Sequence, residues 1–125
     1  MEAQQLTSYL DALPAAEPGY PFGPEALVYK VKGKMFALVG EHAGSTRVTL
    51  KCQPADGELL VSQFDGIIPG HYMNKRHWIT VSLASDVDDA MLCDLVSQSY
   101  ALVVSKLKKA DRESLVMPEN PTVDS

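Results

Sequence analysis

The sequence of 125 residues has little of several features that identify common protein classes. Its two cysteines, Cys52 and Cys93, are far apart, and neither belongs to a CxxC or a Cys/His spacing. The chain therefore has neither a disulfide framework nor a zinc-binding pattern, and we expect no metal site and no cofactor. No apolar run approaches the roughly 20 residues that cross a bilayer, so we expect no association with a membrane.

Catalytic signatures are missing as well. The chain has no GxSxG elbow, no GxxxxGK[ST] phosphate loop, no HExxH and no GxGxxG. We therefore expect no catalytic residues and a non-enzymatic role. The N-terminus, MEAQQLTSYL, carries an acid where a signal peptide carries a base, so we expect a cytoplasmic protein.

The charges that are present are segregated along the chain. A net charge of −5 argues against tight, indiscriminate binding to nucleic acid. Every charged residue between positions 1 and 25 is acidic, however, whereas bases predominate between 26 and 52 and recur at Lys75 and Arg76. Such groups can share one binding face, or they can be ordinary solvated surface.

Apolar periodicity predicts helices near both ends of the chain. The first helix has apolar residues at helical spacing before Pro14, namely Leu6, Tyr9, Leu10 and Leu13. The longest helix follows Ser85, which can cap it, and its apolar stripe is broad enough to pack on a sheet. The Pro- and Gly-rich segment Pro14–Pro24 predicts a loop.

Strand patterns occupy much of the remainder. Residues 26–40 predict two strands joined by a tight turn, where Gly33 can adopt positive φ. STRVTLKC alternates strictly, with Val48, Leu50 and Cys52 on one side, and predicts a basic outer face with Arg47, Thr49 and Lys51. Residues 54–64 suit either a hairpin turn at Asp56-Gly57 or a short helix, which we favour.

The element order predicts the fold class. Two further extended segments flank a compact turn at Asn74, Lys75 and Arg76. The order of a helix, three strands, a helix, further strands and a helix predicts an α+β fold, with an antiparallel sheet and helices on one face. Residues 113–125 hold two prolines and little periodicity, and they predict a flexible acidic tail after a single domain of residues 1–112.

Rare side chains are concentrated in the stretch PGHYMNKRHWITV, which contains the single Trp of the chain. Trp78 can stack on a base while Lys75 and Arg76 pair with phosphates. Alternatively, Trp78 anchors the core beneath the final helix, which is the more frequent role for a lone Trp in a strand and the interpretation that we favour.

The chain resembles the MmcQ/YjbR-like family of small bacterial proteins from about Leu6 to Lys109. Three stretches carry the resemblance: GYPFGPEALVYKVKGKMFALV, PGHYMNKRHWITV and SQSYALVVSKLKK. The resemblance implies a fold of helix, three strands, helix, strand and helix, which is also seen in secretion chaperones. This implied order agrees with the pattern above and favours a helix at 54–64.

The family is commonly labelled DNA-binding, with hairpin wings as the contacts. The resemblance therefore implies a non-enzymatic DNA-binding protein whose wings are the hairpin of residues 30–34 and the turn of residues 74–76. Binding would be weak and salt-dependent, because it would rest on phosphate contacts. These wings supply Lys30, Lys32, Lys34, Asn74, Lys75 and Arg76 as contact residues, and the grouping of bases along the sequence adds Arg47 and Lys51.

Two alternatives stay open. The implied similarity to secretion chaperones, with the apolar final helix, favours a protein-interaction module, which includes a homodimer. The second alternative is a small-ligand pocket, which would be lined by Tyr20, Phe22, Met35, Tyr72, His77 and Trp78.

Overall fold

A computed structural model describes residues 1–42, 44–70 and 74–115. Its helices are α1 (Ala3–Asp11), α2 (Pro54–Gln63), α3 (Asp89–Ser105) and α4 (Lys109–Glu113). Its strands are β1 (Ala16–Gly19), β2 (Ala26–Val31), β3 (Lys34–His42), β4 (Ser45–Lys51), β5 (Ile67–Pro69) and β6 (Trp78–Ser82). The 6-stranded sheet has the order β1-β2-β3-β4-β6-β5, and every neighbouring pair is antiparallel. The predicted α+β class is confirmed.

One face of the sheet forms the core with helices α1, α2 and α3. The cross-strand partners Val39, Val48 and Val81 share this face and are buried against Leu10 of α1 and Val96 of α3. Because side chains alternate along a strand, the residues between them point to the opposite side. We call that opposite side, which faces away from α1, α2 and α3, the open face.

Helix α3 carries the predicted apolar stripe, and most of that stripe is buried in the core. The predicted cap was wrong. The helix begins at Asp89, and the carboxylate of Asp88 accepts a hydrogen bond of 2.8 Å from the Met91 amide. Ser85 instead bonds the Ser82 carbonyl within the preceding segment.

Two local predictions about loops and turns have different outcomes. Residues 54–63 form α2, so the hairpin alternative at Asp56-Gly57 was wrong. The predicted loop Pro14–Pro24 contains β1, which pairs with β2 at the sheet edge. Pro18 cannot donate to a ladder, so this strand suits an edge position and has little signal of its own in the sequence.

The tight turn that the sequence predicts between β2 and β3 is confirmed, and its loop is two residues long, Lys32 and Gly33. Lys32 and Gly33 both have positive φ, at 51° and 82°, which is the requirement of a type I′ turn. Further along the same strand pair, Tyr29 lies opposite Ala37 and Lys30 lies opposite Met35, so Phe36 is the extra residue of a β-bulge.

The predicted tail overlaps the described residues only in part. Helix α4 ends at Glu113, and Leu115 packs partly buried against the core. Residues 116–125 lie outside the described residues.

Candidate functional site

Strand direction brings most of the predicted contact residues to one end of the sheet. Strand β2 ends, β3 begins, β4 ends and β6 begins at this end, as the pairs Lys30–Met35 and Lys51–Trp78 show. From β2 to β6 the end is about 14 Å wide, at about 4.8 Å per strand. We call its bases the basic edge: Lys30, Lys32, Lys34, Lys51, Lys75 and Arg76.

The turn before β6 presents two of these bases. The side-chain oxygen of Asn74 accepts a hydrogen bond of 2.9 Å from the Arg76 amide, and the His77 amide donates to the Asn74 carbonyl at 3.0 Å. The compact turn predicted from the sequence is confirmed. Lys75 and Arg76 are exposed, and the closed backbone fixes the positions from which their side chains project.

Trp78 does not anchor the core beneath the final helix, so the favoured interpretation was wrong. Trp78 is half-buried and lies opposite Lys51, whereas its neighbour Ile79 points into the core. Trp78 therefore belongs to the open face. The Lys51 ammonium lies 5.8 Å from the centre of the Trp78 ring, within cation–π range.

The basic edge has no acid within ion-pair distance among residues 1–42, 44–70 and 74–115. Glu17 of β1 lies directly opposite Lys30 in the sheet without forming such a pair. Lys32, Lys34, Lys75 and Arg76 are exposed. This end of an acidic protein therefore carries a local excess of positive charge.

Arg47, which the grouping of bases along the sequence placed among the expected contacts, lies apart from the basic edge. It pairs with Gly40 and Ser82 in the other half of the sheet, four residues before Lys51. The separation along β4 is about 13 Å at about 3.3 Å per residue. Its Nε is buried and has no hydrogen-bond partner among the described residues.

Arg47 lines a cavity of about 610 Å³ on the open face. Among the described residues, the apolar lining includes Phe22, Ala26, Met35 and Leu38, and the polar lining includes Glu25, Glu41, His42, Arg47, Thr49 and Thr80. The hydroxyls of Thr49 and Thr80 are hydrogen-bonded to each other at 2.9 Å, and both residues are buried. The strand pattern had placed Thr49 on a solvated face, so that prediction was wrong.

The predicted ligand pocket therefore matches this cavity in part. Phe22 and Met35 line it, whereas Tyr20, His77 and Trp78 are not among its lining residues. Tyr72 lies outside the described residues. No pattern in the sequence predicted Arg47, Thr49 or Thr80 as lining residues, because strand alternation had assigned the first two to a solvated surface.

The thiols have the environment of unreactive cysteines. Burial raises the pKa of Cys52, with a smaller effect from Asp56, and burial also raises that of Cys93, together with Asp89 and Asp94. Within the described ranges, no group of three His, Cys, Asp or Glu residues is placed to hold a metal ion. No helix in these ranges has the length and hydropathy of a membrane span.

Comparisons with known proteins identify relatives over most of the chain. A family model described as YjbR matches residues 11–102. The chain is 41% identical over 101 residues to the uncharacterized protein YbdF of Escherichia coli O157:H7, covering 81% of this chain and 83% of that protein. It is 34% identical to the uncharacterized protein YjbR of Escherichia coli K12, covering 93% of this chain and 98% of that protein.

Solved structures agree with these relatives. The fold matches the Deinococcus radiodurans protein DR2400, of the domain family DUF419, with a TM-score of 0.83 and 37% identity, covering 93% of this chain and 88% of that one. It also matches a Pseudomonas syringae protein with a TM-score of 0.72 and 28% identity, covering 82% of this chain and 98% of that one. The chain belongs to the YjbR family.

Proposed function

We propose that the protein binds nucleic acid through the phosphate backbone, and that the basic edge is the contact surface. The observation that supports this proposal is the gathering of Lys30, Lys32, Lys34, Lys51, Lys75 and Arg76 at one end of the sheet, without ion-paired acids among the described residues. A base that is not ion-paired with an acid releases only water and counterions when it contacts a phosphate.

The two turns are suited to this role because their backbones are already fixed. The Lys32-Gly33 loop has type I′ dihedral signs, and the Asn74 side chain closes the second turn. Fixed turns lose little conformational entropy on binding, so each phosphate contact retains more of its favourable free energy. Trp78 beside Lys51 adds an aromatic surface on which an unpaired base can stack.

The net charge of the whole chain limits the expected affinity for nucleic acid. With a net charge of −5, the long-range field repels nucleic acid, and the proposed attraction is the local one of the basic edge. At most six phosphates can be neutralised, so the slope of log Kobs against log salt concentration should be no steeper than about −5. Phosphate contacts carry no direct sequence information, so different duplexes should bind alike.

The test is a fluorescence anisotropy titration of labelled mixed-sequence duplex and single strand, between about 50 and about 200 mM salt. We expect Lys75→Ala/Arg76→Ala to weaken binding at low salt and to reduce the magnitude of the salt slope by about 1 to 2. The matched control is Lys108→Ala/Lys109→Ala, which removes the same charge from exposed positions that follow α3 on the helix side.

The comparison between the two variants decides the proposal. If both double variants lose affinity equally, the effect is one of net charge and the basic edge is not the contact surface. If neither duplex nor single strand binds the unaltered protein at low salt, nucleic-acid binding is wrong altogether.

A further inference from the structure

The open-face cavity has the form of a ligand site and has no part in the proposed nucleic-acid contact. Its volume of about 610 Å³ is within the range of small-molecule sites, about 300 to 1,000 Å³. Phe22 from the loop before β2, with Met35 and Leu38 from β3, supplies apolar lining, and the small residues Gly40, Thr49 and Thr80 also line the cavity. Such a site accepts an apolar body of limited size.

One charged group in the lining has an unused hydrogen-bond donor. The Arg47 Nε is buried and has no partner among the described residues, although buried polar groups are almost always hydrogen-bonded. A guanidinium presents its donors as a planar fork, which matches the two oxygens of a carboxylate. The unused donor therefore indicates the chemistry of the missing partner.

We propose that the open-face cavity binds a small molecule with an apolar body and a carboxylate, and that Arg47 holds the carboxylate. The apolar body lies against Phe22, Met35 and Leu38. Thr49 and Thr80, whose hydroxyls are hydrogen-bonded to each other, also line the cavity.

Two acids also border the cavity and narrow the class of ligand. Glu25 and Glu41 are exposed, and Glu41 accepts a weak hydrogen bond of 3.5 Å from the Thr46 hydroxyl. Water screens exposed carboxylates, whereas the Arg47 donor is removed from water, so recognition of the ligand carboxylate dominates. A ligand amino group would meet the two acids, and apolar α-amino acids therefore fall within the proposed class.

Gly40 offers a way to fill the cavity without changing its charge. It lines the cavity, and a Cβ added there would lie 3.5 Å from the Glu25 carbonyl and 3.9 Å from Leu38 Cδ2, which are ordinary contacts. Its partner across the sheet is Arg47, so a side chain at position 40 points toward the same space. Gly40→Val should therefore fold normally while it occupies the ligand volume.

The test uses amide NMR titrations of the full chain with 3-phenylpropionate and, as the matched probe, phenethylamine. We expect 3-phenylpropionate to shift the amides of Gly40, Thr49 and Thr80 at lower concentration than phenethylamine, which can meet the two acids but has no carboxylate for Arg47. Arg47→Met, which keeps the apolar stem, should weaken 3-phenylpropionate binding on the order of 10- to 100-fold. Gly40→Val should abolish it while the thermal unfolding temperature stays the same or rises.

Each contrary result overturns the proposal. Equal binding of phenethylamine would show that the carboxylate is not recognised. Unaltered affinity in Gly40→Val or Arg47→Met would place the ligand elsewhere, and the absence of shifts with millimolar 3-phenylpropionate would exclude the class. Both variants should leave nucleic-acid binding unchanged, so this proposal and the proposed function fail independently.

Discussion

At the scale of single residues, one buried hydroxyl joins three elements. Ser99 of α3 is fully buried, and its Oγ donates to the Phe36 carbonyl at 2.6 Å while it accepts from the Lys51 amide at 2.8 Å. The ladder between β3 and β4 ends at the Ala37–Leu50 pair, and the serine hydroxyl bridges the Phe36 and Lys51 backbone groups just beyond that end. Ser99 thus fixes β4 at the point where Lys51 enters the basic edge.

Replacing Ser99 with Ala should therefore destabilise the fold strongly. The change leaves a buried amide and a buried carbonyl without a partner, and we expect the free energy of unfolding to fall by about 2 to 4 kcal/mol. The measurement is urea unfolding followed by circular dichroism. The control is Ser105→Ala in the same helix, because that hydroxyl bonds only the carbonyl of its own helix residue Leu102 and is exposed. Similar values for the two variants would contradict the bridging role.

At the scale of elements, α2 approaches the end of β4 so closely that one helix position excludes a side chain. A Cβ added at Gly57 would lie 2.8 Å from the Sγ of Cys52, which is closer than real atoms come. In an unconstrained helix, Gly→Ala stabilises by about 1 kcal/mol. Here the contact outweighs that gain, and Gly57→Ala should lower the free energy of unfolding by about 1 to 3 kcal/mol.

A double-variant cycle isolates this contact. Cys52→Ala removes the Sγ, so Gly57→Ala should stabilise, or leave unchanged, a chain that already carries Cys52→Ala. We expect a coupling free energy above about 1 kcal/mol between the two positions, measured by denaturant unfolding of the four chains. Additive effects would mean that Gly57→Ala lowers the free energy of unfolding for a reason other than its contact with Cys52.

The elements that the sequence pattern predicted are those with strong local signals. Helix α3 has a long apolar stripe, and the β2–β3 hairpin has a Gly at the position that needs positive φ. Strand β1 was missed because AEPG has no strand propensity, and its structure comes from pairing with β2. Helix α4 has only five residues, too few for a periodic pattern.

At the scale of the whole molecule, the sites depend on the directions in which the strands run. Sequence grouping placed Arg47 with Lys51, because both lie on one strand and one face. Their positions along β4 nevertheless assign one to the open-face cavity and the other to the basic edge. Lys75 and Lys32, distant in sequence, come to the same end. The alternation of residues along the sequence predicts which face of the sheet a side chain is on. It does not predict the strand order, which determines which residues become neighbours in the fold.

Acid stability is also a property of the whole molecule, and one carboxylate contributes to it from a loop. Asp86 accepts hydrogen bonds from the Gly66 amide at 2.8 Å and the Asp65 amide at 2.9 Å, joining the α2–β5 loop to the segment before α3. These bonds, chiefly the one from Gly66, lower its pKa. Because the folded pKa lies below the ordinary value of about 4, the stabilisation is present above that value and is lost as the pH falls through the folded pKa.

Asp86→Asn should therefore reduce stability at neutral pH and flatten the acid side of the stability profile. The variant still offers one acceptor oxygen, but it can neither serve both amides nor titrate. We expect the stabilities of the two chains to differ most near pH 7 and to converge once the pH falls below the folded pKa of Asp86, where this carboxylate of the unaltered protein is protonated. Glu58→Gln, an exposed acid on α2, removes the same charge and should keep the profile of the unaltered protein. A difference between Asp86→Asn and the unaltered protein that stays constant from pH 7 to pH 3 would mean that the two amide bonds do not depend on the charge of Asp86.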